Sequence, residues 1–148
     1  MSPTSAGRGA VSETFACRIL IMAALPREVR PFLRRVRAKP RRDLGLAAWE
    51  WEAGGAVVAL SGMGEAAARR AGATLMGRIR PQLLVSVGFG GALTPGLAAG
   101  DLVLGESFWR FNPDTRELKA GPQPASPRPL PLLCGALKQA MLTAVTGS

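Results

Sequence analysis

Apolar positions fall into two rhythms along the first 105 residues. Residues 18–24 carry the unbroken run Ile19-Leu20-Ile21-Met22, which lacks the alternation of a half-exposed strand and predicts one buried on both faces. Pro26 fits the first turn of a following helix, where its missing amide donor costs nothing. Val29, Phe32, Leu33 and Val36 then recur at i, i+3, i+4 and i+7 as one buried stripe. Pro31 lies inside that stripe and predicts a kink over residues 27–31. Residues 47–52 and 56–60 read as two strands joined through Gly54-Gly55, with Trp49 and Trp51 on one face of the first. A second helix is expected over residues 65–79, with Ala68, Ala71, Gly72, Leu75 and Ile79 as its inner stripe and Pro81 beyond its end. Leu83–Val87 is a further buried strand, and Leu102-Val103-Leu104 is expected to form another.

Strand, helix, hairpin, helix, strand and strand make an α/β chain, with a mixed, mostly parallel sheet flanked by helices. The character changes near Trp109. Six of the twelve prolines fall between Pro113 and Pro131, and apolar periodicity is lost, so residues 110–148 read as a Pro-rich loop followed by one short helix over residues 132–145. Residues 1–16 read as a disordered leader, which leaves 17–109 as the α/β core.

Composition narrows the function. With 47 % hydrophobic and 20 % charged residues, the chain has enough apolar surface to fold rather than remain disordered. It contains no histidine, so no His-dependent triad is available, and Cys17 and Cys134 have no metal-ligand spacing. No metal or other cofactor is expected. The two cysteines read as free thiols in a reducing cytoplasm. The apolar run at residues 19–25 is far short of the roughly 20 residues that span a bilayer, so no membrane partner is expected.

Net charge is +9, and eight of the nineteen basic residues lie between Arg27 and Arg42. Such a cluster can bind nucleic acid or phosphate. Apart from Phe32, which belongs to the buried stripe, no aromatic residue interleaves with these arginines in sequence, which favours the plainer alternative, a solvated helix face followed by a basic loop. Nucleic acid is therefore not an expected partner.

Three segments carry candidate chemistry. Ala23-Ala24-Leu25-Pro26-Arg27-Glu28-Val29 ends a strand, Ser61-Gly62-Met63-Gly64 ends another, and Gly88-Phe89-Gly90-Gly91 ends a third. Small residues at strand ends let a ligand approach the backbone. Glu28 is the only acidic residue at a strand-to-helix junction among apolar neighbours. It can hold and activate a water, or it can simply complement the helix dipole.

These segments, in this order, resemble the nucleoside phosphorylase and 5′-methylthioadenosine/S-adenosylhomocysteine nucleosidase superfamily. Residues 19–29 look like its opening strand and helix start. Ser61-Gly62-Met63-Gly64 with Ala67, Ala71 and residues 72–75 resembles its second glycine turn, and Gly88 to Leu93 with Pro95 and Gly100-Asp101 its third. The likeness covers residues 18–107. It implies cleavage of an N-ribosyl bond of a nucleoside, with Glu28 as the catalytic, water-positioning carboxylate. Leu25, Met63, Gly64, Phe89, Gly90 and Gly91 would contact substrate, and Arg27 and Gly62 would contact phosphate if the enzyme is a phosphorylase. It further implies water or phosphate as co-substrate and a homo-oligomer.

Phe89 departs from the pattern, because the nucleosidases carry a water-holding serine there. The family's purine-protonating acid and its Met-Glu ribose clamp belong to a later segment, which finds no counterpart here. The chain thus reads as the first half to two-thirds of such an enzyme, incomplete at its C-terminus, with a non-catalytic remnant or binding module as the alternative.

Overall fold

The computed structural model describes residues 17–105, 107–112 and 114–124. They belong to two compact units that divide between Gly91 and Ala92. The expected leader and the expected helix at 132–145 lie outside the described residues.

The first unit is a five-stranded sheet with a helix on each face. Its elements are β1 (Ile19–Ala23), α1 (Pro26–Arg35), β2 (Lys39–Pro40), β3 (Ala48–Trp51), β4 (Ala56–Leu60), α2 (Glu65–Met76) and β5 (Leu83–Val87). The strand order is β2-β3-β4-β1-β5, with β1 parallel to β4 and β5, and β3 antiparallel to β2 and β4. The mixed, mostly parallel arrangement expected from the apolar pattern is what forms.

Alternation along the strands separates two cores. Leu20, Val57 and Ala59 pack with Leu44, Leu75 and Ile79 on the α2 side. Ala23 and Val58 pack with Val29 on the α1 side, joined by Ile21, Phe32, Leu33 and Leu60. Neighbouring residues therefore serve opposite layers, which is why β1 and β4 need unbroken apolar runs. Burial also pushes the Cys17 thiol above its ordinary value, which disfavours the reactive thiolate.

The helices differ from expectation in detail. α1 spans Pro26–Arg35 with Pro31 inside it. In α2 the row facing the sheet is Ala67, Ala71, Leu75 and Ile79, a strict spacing of four, while Ala68 is exposed. The helix itself closes at Met76, and Ile79 reaches the core from the turn beyond it. β5 departs more. It occupies the sheet edge, so Leu83 and Val85 are half-buried while Leu84 and Val87 are exposed, and the expected two-sided burial is not reached.

α1 ends in a Schellman motif. The Ala38 amide donates to the Leu33 carbonyl and the Arg37 amide to that of Arg34. Arg37 holds the left-handed position, φ 51°, that glycine usually fills. Arg37→Gly should raise stability by about 0.5–1 kcal/mol, the relief of left-handed strain less glycine's larger unfolded-state entropy. A higher urea midpoint at unchanged slope is the expected result.

The second unit contains an antiparallel hairpin, β6 (Ser107–Asn112) and β7 (Glu117–Pro124), with an irregularity between Phe108 and Arg110. The sequence pattern predicts a Pro-rich loop from 110 onward. Pro122 and Pro124 are compatible with β7 because a strand in a two-stranded ribbon has a free edge. Leu102-Val103-Leu104, expected as a strand, is irregular, with Leu102 and Val103 exposed. Gly96 and Gly100 at positive φ, and the Asp101 carboxylate accepting the Ala98 amide, shape the loop before it.

Candidate active site at the strand ends

Register places two of the three candidate loops around the end of β1. Ala23 pairs with Leu60 of β4 on one side and with Val87 of β5 on the other. The chain therefore leaves β1, β4 and β5 from one row of the sheet. Those exits lead to Leu25–Glu28, to Ser61–Gly64 and to Gly88. Because β1 sits between its two parallel partners, this row lies where the strand order reverses, the usual crevice for ligands in open α/β sheets.

Glu28 is fixed by the start of α1. Its Oε2 accepts the Leu25 amide at 2.7 Å, while its own amide donates to the Leu25 carbonyl at 3.1 Å. One carboxylate oxygen thus serves the helix start, as the plainer reading of this residue requires. The other does not. Oε1 faces Gly88 so closely that a β-carbon on residue 88 would lie 3.2 Å from it. Gly88 lets the carboxylate stand over the end of β5, and any larger residue would crowd it. The sequence marks Gly88 only as the first member of a glycine loop; its closeness to Glu28 follows from β1–β5 pairing, a non-local fact.

The second loop is anchored to β1. The Ser61 amide donates to the Ala23 carbonyl at 2.8 Å, and the Ser61 hydroxyl donates to the same oxygen at 3.2 Å. Gly62 and Gly64 then take positive φ, 78° and 86°, which turns the chain into α2 with Gly64 as its N-cap. Met63 stands 72 % exposed between them.

The other candidates are placed as follows. Leu25 is half-buried at the N-cap of α1, and Arg27 is exposed in its first turn. Phe89, Gly90 and Gly91 are exposed beyond β5, and Phe89 is 72 % accessible. Glu28, Leu25 and Gly88 form a contact-level cluster. Gly62, Met63 and Gly64 share the same end of the sheet. Among the described residues no group of three or more cysteine or acidic side chains comes together as a metal-binding set. No helix among them is long and apolar enough to cross a membrane.

The acidic side chains of the β2–β4 region are otherwise engaged. Arg41 donates to both Asp43 and Glu50, and Lys39 pairs with Glu52. The Arg41 hydrogen bond holds the Asp43 carboxyl at about 2, below its ordinary range. A depressed folded value stabilises the fold above about pH 4 and loses that gain as pH falls toward 2. Asp43 is exposed, so the effect is small. Acid unfolding of Asp43→Asn should lack this component of the pH dependence.

No curated protein and no solved structure matches the chain significantly. The phosphorylase superfamily matches it over residues 18–147, a span that takes in every element described above and continues past the glycine-loop motifs. With that match extending over most of the sequence, and an α/β sheet of the expected kind beneath it, the chain belongs to the phosphorylase superfamily.

Proposed function

We propose that the protein cleaves the N-ribosyl bond of a nucleoside by hydrolysis, with Glu28 orienting and deprotonating the attacking water. The observation that carries this reading is the split duty of the Glu28 carboxylate. Oε2 is held by the Leu25 amide, which fixes the group, and Oε1 is turned over the end of β5 at Gly88. A carboxylate so held needs no reorganisation to act on a bound water.

In the reaction the water oxygen bonds to the anomeric carbon as the carbon–nitrogen bond breaks. The base leaves with the bonding electrons and takes up a proton. Glu28 receives one water proton, and its negative charge favours the cationic ribosyl transition state. Met63 and Leu25 supply apolar contacts to the sugar, with Gly64, Phe89, Gly90 and Gly91 as further substrate contacts. The protein is taken to act in the cytoplasm as a homo-oligomer.

Phosphorolysis is the second reading, favoured by one observation. Arg27 is exposed in the turn that holds Glu28, and it can meet a phosphate. Incubation with methylthioadenosine, adenosine or inosine, with and without phosphate, separates the readings by release of free base. Release in phosphate-free buffer is the expected result. Release only with phosphate would replace hydrolysis by phosphorolysis, and no release from any nucleoside would leave a non-catalytic binding module.

A further inference from the structure

On the α1 face of the sheet, opposite the α2 core, the fold builds a second concavity. A cavity of about 380 Å³ opens between α1 and β3, floored by Val29, Leu33 and Trp49 and rimmed by Arg30, Arg34 and Arg37. Its volume is in the range of small-ligand pockets rather than of extended macromolecular surfaces. None of the residues lining it is acidic.

The arginines divide into two groups. Arg41 is committed to Asp43 and Glu50, and Arg78 donates to the Asp43 carbonyl. Among the described residues, no ion pair or hydrogen bond involves the side chains of Arg30, Arg34 or Arg37. Three uncompensated guanidiniums along one rim repel one another unless an anion joins them. Trp49 changes the chemistry further. It lines the same cavity as the arginines because β3 pairs into the sheet beneath α1, so an aromatic side chain is supplied from 12 residues beyond Arg37.

Arg37 adds an independent observation. It occupies the left-handed position of the α1 terminus, where glycine is the unstrained choice, and it lines the cavity. A strained arginine that helps complete an anion-binding rim has a reason to be there that stability does not give.

We infer that this groove binds a nucleotide carrying two or more phosphates, its aromatic ring against Trp49 and its phosphates on Arg30, Arg34 and Arg37. Guanidiniums suit phosphate through paired N–H donors, and an apolar indole suits a flat base. The lining of the groove shares no residue with the Leu25, Glu28 and Gly88 cluster, and the inference does not depend on the reaction proposed there.

Calorimetric titration of the full chain with ADP tests this, with adenosine, inorganic pyrophosphate and a short oligoadenylate as companion probes. ADP should bind saturably, and both adenosine and pyrophosphate should bind at least about tenfold more weakly. Arg34→Gln and Arg37→Gly should each weaken ADP by about tenfold, the cost of a charge-assisted contact. Arg37→Gly should do so while raising thermal stability, which a purely structural role would not give. Trp49→Leu should weaken ADP and spare pyrophosphate; if that variant does not fold, the exposed arginine variants carry the test.

Absence of saturable ADP binding up to about 1 mM would overturn the inference. So would pyrophosphate matching ADP, or arginine variants binding ADP like the wild type. Equal weakening by Glu28→Gln or Met63→Ala would place the nucleotide at the strand ends instead. Oligoadenylate that tightens with length and is not displaced by ADP would make the surface one for single-stranded nucleic acid.

Discussion

Glu28→Gln is expected to lower turnover by about 10²-fold or more, the usual contribution of a positioned base, with a smaller change in substrate affinity. Glutamine keeps an oxygen that can accept the Leu25 amide, so the helix start is retained and the basic function is lost. Steady-state measurement of kcat and KM separates the two effects. A variant as active as the wild type would remove Glu28 from the mechanism. The Gly88 contact supplies a second handle, since Gly88→Ala puts a methyl group against Oε1 and should reduce turnover without touching a titratable group.

Leu20→Ala is expected to cost about 3 kcal/mol of stability, within the usual 2–5 kcal/mol for emptying a buried leucine position. Leu20 is fully buried at the centre of β1, between β4 and β5 and beneath α2, where no neighbour can relax into the space without moving a strand. Against a total stability of about 5–15 kcal/mol this is a large fraction. Urea unfolding should show a lower midpoint at unchanged slope. Leu84→Ala on β5 removes the same atoms from an exposed position and should stay within about 0.5 kcal/mol. Equal losses at Leu20 and Leu84 would contradict the strand order.

Strand existence was legible where burial is two-sided. β1 and β4 have continuous apolar runs because adjacent residues serve opposite cores, and those runs cannot be mistaken for half-exposed strands. β5 has the same kind of run yet lies at the edge, because strand order is decided by crossovers that no local window contains. The Leu102–Leu104 run has strand-like composition but pairs with no strand among the described residues, and composition alone does not make a ladder. Conversely, β7 was hidden by its prolines. Glu28 could be singled out by its position between an apolar strand and a helix, whereas its approach to Gly88 joins residues 60 positions apart. The arginine–Trp49 groove is of the same kind: its basic rim is plain in the sequence, and its aromatic floor is not.

The central position of β1 also governs how the chain can assemble. Its partners lie far downstream, Ile19 pairing with Ala56 and then with Leu83. Such distant parallel pairings are entropically slow to close, whereas the β3–β4 hairpin is local. During synthesis β1 emerges before both of its partners, and one of its edges stays bare until β5 has left the ribosome, so β1 is fully paired only after β4 has already joined it. Pulse-labelled hydrogen exchange during refolding should find amides of the β3–β4 ladder protected before those that join β1 to β5. Simultaneous protection would show that the sheet condenses in one step. The strand that organises the candidate active site would then form together with its neighbours, without an interval in which its apolar edges invite other chains.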